Sequence, residues 1–237
     1  MIPYSKHKTT FADAFAVARQ VKFRSLTQGP EIANFENSVK QYVNSKYAVA
    51  VSSATAGLHI ALLALELEPN AEVITSPLSF LSSANCIIYA GLKPVFIDID
   101  PTTKNLDKIQ VENALRKNPN IKAIIAVHYA GLPLEATWFK KIKSEFGVKI
   151  IEDAAHALGA YYETGEKVGN SQTTDLTVFS FHPVKSVTTG EGGVVVTNSQ
   201  DFYQKLLVLR SHGIEQNPEL HINRFLSHTN NIPNPWY

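Results

Sequence analysis

An α/β fold, with a mostly parallel central sheet and helices on both faces, follows from three features of the chain. Short apolar runs rich in β-branched residues, such as 148–151 and 176–181, are too continuously apolar for strands with one wet face and match strands buried on both sides. These runs alternate along the chain with stretches of helical periodicity, the βα alternation that builds a parallel sheet. Each central run also breaks into polar residues at its carboxyl end, where ligands collect in open α/β sheets.

Residues 1–30 begin with a polar arm, continue through a helix at 11–22 and reach the loop RSLTQGP at 24–30. In 31–42 the apolar positions Ile32, Phe35, Val39 and Tyr42 fall on one helix face. Residues 47–51 form a strand that stops at SSATAGLHIALLALEL (52–67), where small and hydroxyl residues turn the chain into an apolar helix starting near Thr55. Small residues let backbone amides approach a ligand, and a helix N-terminus favours an anion, so this turn is a candidate phosphate cradle. An ordinary capped helix packed on the sheet would carry the same residues. The strand at 72–76 ends in PLSF and leads to a helix over 81–90, with Cys86 on its buried side. Phe80, at that junction, either packs in the core or lies flat against an aromatic ring in the crevice. Gly91 ends the helix before a strand at 94–99. A helix at 107–117, a strand at 121–127 and a helix at 138–146 follow; after the two central strands come a strand at 192–197 and a helix at 202–211. From His212 the chain is rich in Asn, Pro and His with little periodicity, and His212, His221 and His228 read as loop residues without compact metal-ligand spacing.

Composition narrows the function classes. A 44% hydrophobic, 18% charged chain is ordinary globular composition, which argues against disorder. The net charge of +1, with acids and bases interspersed, offers no basic face for nucleic acid or an anionic membrane. A single cysteine excludes an internal disulfide and a cysteine metal cluster. No run is apolar and long enough to span a bilayer, and MIPYSKHKTT lacks a signal peptide's apolar core, so a reducing cytoplasmic setting is the expectation.

The chemistry points to the ends of the two central strands, in KIIEDAAHALGA (149–160) and TVFSFHPVKSVTTGEGG (177–193). The strand-end rule brings Asp153, His156, Ser180, His182 and Lys185 to one crevice. Lys185 lies between an apolar strand and Gly190, Gly192 and Gly193. A partly buried amine loses basicity and becomes a nucleophile toward carbonyls, as Schiff-base lysines require. Pyridoxal phosphate also needs an anionic partner for its ring nitrogen, a part open to Asp153. Read singly, a lysine after a strand is usually a solvated loop residue, and Asp153 could equally cap a helix over 154–158.

The ordered set LTQGP, SSATAGLHIAL, SPLSFLSSANCIIYAGLKPVFIDID, IEDAAHALGA and FSFHPVKSVTTGEGGVVVT resembles the nucleotide-sugar aminotransferases of the DegT/DnrJ/EryC1/StrS family, fold-type I enzymes dependent on pyridoxal 5'-phosphate. Within it, SSATAG, DAAHALG, FSFHPVK and RSHGI are most similar to enzymes that aminate C4 of a UDP-linked 4-keto-6-deoxy-N-acetylhexosamine on the route to pseudaminic acid, a bacterial surface-glycan precursor. The resemblance implies Lys185 as Schiff-base lysine and proton shuttle, a role arginine could not fill. It implies Asp153 at the pyridinium nitrogen, Phe80 on the pyridine face, and phosphate held by amides near Ala54 and Thr55 with the hydroxyls of Thr55 and Ser180. It places His156 near the ring oxygen, and Tyr4, Arg24, Ser25, Leu26, Thr27, Ala54 and Ser180 at the substrate. It further implies glutamate as amino donor and a homodimer in the full-length form.

Relatives that replace the lysine by histidine are dehydratases, so Lys185 favours transamination. A non-catalytic ligand-binding fragment of the same fold is the other alternative. The family's Gly-x-Asn-x-Arg motif and small C-terminal domain have no counterpart before Tyr237. The expected layout is an N-terminal arm, helix and substrate loop at 1–30, a cofactor-binding large domain at 31–211, and an irregular segment at 212–237 that leads to a missing C-terminal part; poor turnover by these 237 residues alone is the matching expectation.

Overall fold

The computed structural model of the chain describes residues 6–27, 29–215, 219, 228–229 and 232–233. Seven strands form one sheet: β1 (Tyr47–Val51), β2 (Glu72–Thr75), β3 (Lys93–Phe96), β4 (Ile121–Val127), β5 (Lys149–Asp153), β6 (Leu176–Ser180) and β7 (Gly193–Thr197). Their spatial order is β1-β7-β6-β5-β4-β2-β3. The pairs β6–β5, β5–β4, β4–β2 and β2–β3 are parallel, while β7 runs antiparallel to both β1 and β6. The mostly parallel sheet expected from the sequence is therefore present, with one reversed strand inside it. β4, β5, β6 and β7 are buried almost throughout, which explains why their sequences do not alternate.

Helices cover both faces. On one side lie α2 (Pro30–Val43), α5 (Lys108–Lys117) and α6 (Ala136–Phe146), whose Val39, Val43, Val111, Leu115, Phe139 and Ile142 pack against Ile124, Ile150, Phe179 and Val194 of the sheet. On the other lie α3 (Ala54–Ala64), α4 (Ser82–Tyr89) and α7 (Gln200–Arg210), whose Leu58, Leu62, Ile87 and Leu206 meet Val73, Ile125, Ile151 and Val195. Cys86 is fully buried on α4. The strand pleat sends neighbouring residues to opposite layers. Glu152 thus faces the α6 side with Ile150, and Asp153 the α3–α4 side with Ile151. Gly57 lets α3 lie flat on the sheet, since a Cβ there would sit 2.9 Å from Val178 Cγ1.

Helix ends follow the expected chemistry. Thr10 and Asp13 form a capping box at the start of α1 (Phe11–Phe23), Asp107 caps α5, and the left-handed residues Asn44 and Gly147 end α2 and α6. Helix α1 has no buried residue, and Phe11 is 97% exposed. No helix among the described residues is long and apolar enough to cross a membrane.

Two sequence expectations need correction. Residues 154–158 form turns and not a helix, so Asp153 caps nothing; its backbone ends β5 and its carboxylate is engaged elsewhere. Within the segment read as irregular, His228–Thr229 and Ile232–Pro233 pair as two short antiparallel strands. His221 lies outside the described residues.

Candidate active site

The carboxyl ends of the parallel strands open into one cleft of about 1080 Å³. Ala54, Thr55, Phe80, Asp153, His156, Ser180 and Lys185, gathered from four separate stretches of sequence, all line it. His182 lies on the same wall. Strand-end convergence is the reason: each of these residues sits at or just beyond the end of β1, β2, β5 or β6.

Lys185 lies in the connection between β6 and β7. Its backbone N–H donates to the His182 carbonyl at 2.9 Å in a tight turn. The connection is tied at both ends, with Phe181 N–H donating to the Gly192 carbonyl and Thr189 N–H to the Phe181 carbonyl, each at 3.0 Å. The lysine is thus delivered by a braced loop. Its Nζ lies 2.6 Å from His156 Nε2. Burial pulls the Lys185 amine below its ordinary range, against the opposing pull of Asp153. Burial and the Lys185 charge likewise lower His156. The contact therefore lets the Lys185 ammonium donate a hydrogen bond to a neutral imidazole nitrogen, and burial makes that ammonium readier than usual to lose its proton.

Asp153 is 5% exposed. Its Oδ2 accepts from Ser83 Oγ at 2.6 Å, and its Oδ1 from the Ala155 N–H at 3.3 Å. Across the cleft, Ser53 caps α3 by accepting from the Ala56 N–H at 3.1 Å, and the first intrahelical bond runs from Gly57 N–H to the Ser53 carbonyl. The amides of Ala54 and Thr55 precede that bond and so lack acceptors within the helix, and both residues line the cleft. Gly193 makes the close approach possible: a Cβ on it would lie 2.7 Å from the Ala54 nitrogen. Phe80 is 76% exposed, so of its two expected fates core packing is excluded, and its ring is available to a flat partner.

The structure does not bring every expected residue here. Arg24, Ser25, Leu26 and Thr27 are exposed and do not line the cleft; Arg24 instead pairs with Glu31 at 3.0 Å. Tyr4 lies outside the described residues. In the other direction, the cleft includes Ser79, His128, Tyr129 and Glu191, none of which the sequence reading singled out. His128 follows the end of β4, so the strand-end rule applied to AVHYAG would have found it.

Behind this wall lies a buried carboxylate. Glu152 is fully buried and accepts from His128 Nε2 at 2.8 Å, Thr174 Oγ1 at 2.8 Å, Thr177 Oγ1 at 2.5 Å and the Tyr162 hydroxyl. His128 Nδ1 accepts from the Leu134 N–H at 3.2 Å, which leaves the ring proton on Nε2, aimed at Glu152. Burial alone would raise the Glu152 carboxyl, but the hydrogen bonds from His128, Thr177 and Tyr162 overcome it and hold the group below the usual carboxylate range.

A cleft with a partly desolvated amine, a buried acid, an exposed aromatic face and a helix N-terminus has the parts that pyridoxal phosphate requires: an amine for its aldehyde, an anion for its ring nitrogen, a surface for its ring and donors for its phosphate. Comparison with known proteins agrees. A protein of Methanocaldococcus jannaschii, MJ1066, is 44% identical over 191 residues, 81% of this chain and 48% of that one. Helicobacter pylori PseC, an aminotransferase involved in the biosynthesis of pseudoaminic acid, is 32% identical with a TM-score of 0.85 over 92% of this chain and 58% of PseC. DesI, solved in the presence of its TDP-sugar product, is 35% identical with a TM-score of 0.81 over 90% of this chain and 53% of DesI. The chain thus spans about half the length of the relatives it matches. Residues 9–230 match the DegT/DnrJ/EryC1/StrS aminotransferase family, whose enzymes work with pyridoxal 5'-phosphate, and the chain belongs to that family.

Proposed function

We propose that this chain carries the cofactor-binding machinery of an aminotransferase acting on a nucleotide-linked keto-sugar, with C4 of a UDP-linked 4-keto-6-deoxy-N-acetylhexosamine as the acceptor and glutamate as the amino donor. The observation that carries the reading is the placement of Lys185, with its lowered basicity, in one cleft with the buried Asp153 carboxylate. The similarity to PseC and the shared motifs support the sugar; DesI, crystallised with a TDP-sugar, supports a nucleotide-sugar more broadly.

When bound, pyridoxal phosphate supplies an aldehyde and an electron-withdrawing ring. The chain supplies the rest. Lys185 would offer the amine that holds the cofactor, and its Nζ would serve as the group that takes up and returns a proton in the cleft. His156 holds the amine by the 2.6 Å contact. Asp153 would meet the ring nitrogen, Phe80 would cover one ring face, and the amides of Ala54 and Thr55 with the hydroxyls of Thr55 and Ser180 would hold the phosphate. Residues 31–211 form the cofactor-binding domain in this reading. Tyr4 and residues 24–27 are read as substrate contacts from the resemblance alone, since 24–27 do not line the cleft of their own chain.

Two measurements test this. Borohydride reduction after mixing with pyridoxal phosphate should fix the label on Lys185, and Lys185→Ala should lose it. Transfer of 15N from labelled glutamate to the UDP-keto-sugar, even in a single turnover, identifies donor and acceptor; transfer to other nucleotide keto-sugars but not to this one would sink the substrate assignment while leaving the cofactor site intact.

A further inference from the structure

We propose that Ser79 and Ser83 form a two-hydroxyl relay that fixes the Asp153 carboxylate toward the cofactor's ring nitrogen, with Ser83 as the positioning residue. The proposal rests on the reading of Asp153 given above. Ser83 is fully buried on α4, and its hydroxyl donates to Asp153 Oδ2 at 2.6 Å. A serine hydroxyl carries one proton. With that proton committed to the carboxylate, the 2.5 Å contact between the Ser79 and Ser83 hydroxyls has only one polarity: Ser79 donates and Ser83 accepts. Ser79 lines the cleft and Ser83 does not, so the hydrogen bonds run from the cleft wall to the far side of the carboxylate.

The local sequence leaves these hydroxyls free for that task. The N-cap of helix α4 is Leu81, with no side-chain cap, so neither serine is used as the helix N-cap. A helical serine often bonds back to the carbonyl four residues earlier; Ser83 instead reaches the sheet, 70 residues away in sequence. The outcome at Asp153 is asymmetric. Oδ2 is occupied by a short bond, while Oδ1 receives, among the described residues, only the long 3.3 Å bond from the Ala155 N–H. The carboxylate is clamped by one oxygen, and the other keeps a lone pair for a donor in the cleft. A protonated pyridine nitrogen is such a donor, and a rotated carboxylate would present it poorly.

The test uses the full chain mixed with pyridoxal phosphate labelled with 15N in the ring, reading the ring-nitrogen chemical shift, the cofactor dissociation constant and thermal stability. Ser83→Ala should weaken cofactor binding about 10-fold, the scale of one lost bond to a charged group, and move the ring-nitrogen shift toward the unprotonated value. Ser79→Ala should act in the same direction by about 2- to 3-fold, since it acts one bond further away. In an Asp153→Asn background, Ser83→Ala should add less than about 2-fold, because a residue acting through Asp153 has nothing left to act on. Unchanged shift and affinity in Ser83→Ala, or an equal loss in the Asp153→Asn background, would overturn the relay. If Ser83→Ala does not fold, an unchanged ring shift in Ser79→Ala overturns it. An unchanged ring shift in Asp153→Asn removes the assignment of Asp153 itself, and no binding by the parent chain removes the cofactor reading of the cleft.

Discussion

Removing the Glu152 side chain should destabilise the chain far more than removing an ordinary buried acid, and the network says by how much. Glu152→Ala would leave four donors facing a void: His128 Nε2, the Tyr162 hydroxyl, Thr174 Oγ1 and Thr177 Oγ1. A buried donor left unsatisfied costs about 1–3 kcal/mol. The two threonine hydroxyls can rotate to other acceptors, but the histidine N–H cannot turn away, because its Nδ1 is held by the Leu134 N–H. Two orphaned donors plus the cavity give about 3–5 kcal/mol, the range found when a buried charge pair is broken. Glu152→Gln should lose less, about 1–2 kcal/mol: its oxygen can serve His128 and Tyr162 while its NH₂ donates to the threonines, which turn to accept. Urea unfolding followed by circular dichroism at pH 7 measures both. The pH dependence is a second check. Glu152 sits below the usual carboxylate range when folded, so its stabilisation is fully present above that range and is lost as pH falls through the lower, folded value. The gap between the parent and Glu152→Gln should therefore narrow as pH falls below the usual carboxylate range. A Glu152→Ala variant within about 1 kcal/mol of the parent would refute the claim that this carboxylate anchors the wall.

Three further outcomes follow from the same geometry. Gly193→Ala should weaken cofactor binding at least ~10-fold and destabilise by about 1–3 kcal/mol, because the new Cβ meets backbone at Ser53 and Ala54 and the phosphate cradle must shift; titration with pyridoxal phosphate and thermal melts report each. Reductive labelling of Lys185 should rise with pH and reach half its maximum below 10.5, since burial makes the free amine available earlier; a midpoint at or above that of free lysine would contradict the site's geometry. Cys86, fully buried and pushed up to about 12 by burial and by the neighbouring Asp153 charge, should resist iodoacetamide in the folded chain and react at once in urea.

The elements were legible because the buried strands declare themselves. Residues 47–51 and 121–127 match β1 and β4 at both ends, since runs such as IKAIIAV admit little else. The failure at 154–158 is equally physical. Asp followed by Ala-Ala looks like a capped helix, yet the Asp153 carboxylate is held by Ser83, a residue 70 positions away that local reasoning does not see. Asp153, His156 and Lys185 could be found from strand ends, but Ser79 and Ser83 could not, because serines in SPLSFLSSANC carry no signal until Ser83 meets Asp153, 70 positions away. Glu152 had a signal that went unused: an acid inside a run of buried strand residues must have partners, whatever their identity.

Adjacent acids on β5 divide the work because the pleat separates them. Asp153 turns toward α4 and the cleft, where Oδ1 receives only a long bond from the Ala155 N–H among the described residues; Glu152 turns toward α6, where every lone pair is used by the protein. The two are coupled through His128. Its side chain donates to Glu152 while its backbone N–H donates to the Asp153 carbonyl at 3.1 Å, so the carboxylate behind the wall fixes the strand ends from which the reactive acid projects. A one-residue slip of β5 would exchange the two faces, aiming the saturated acid into the cleft and burying the reactive one. The pairings Val127↔Asp153 and Asp153↔Val178 hold that register from both sides. In the proposed reading the site therefore depends on the parity of a buried strand, and β5 is fixed by parallel neighbours on each edge.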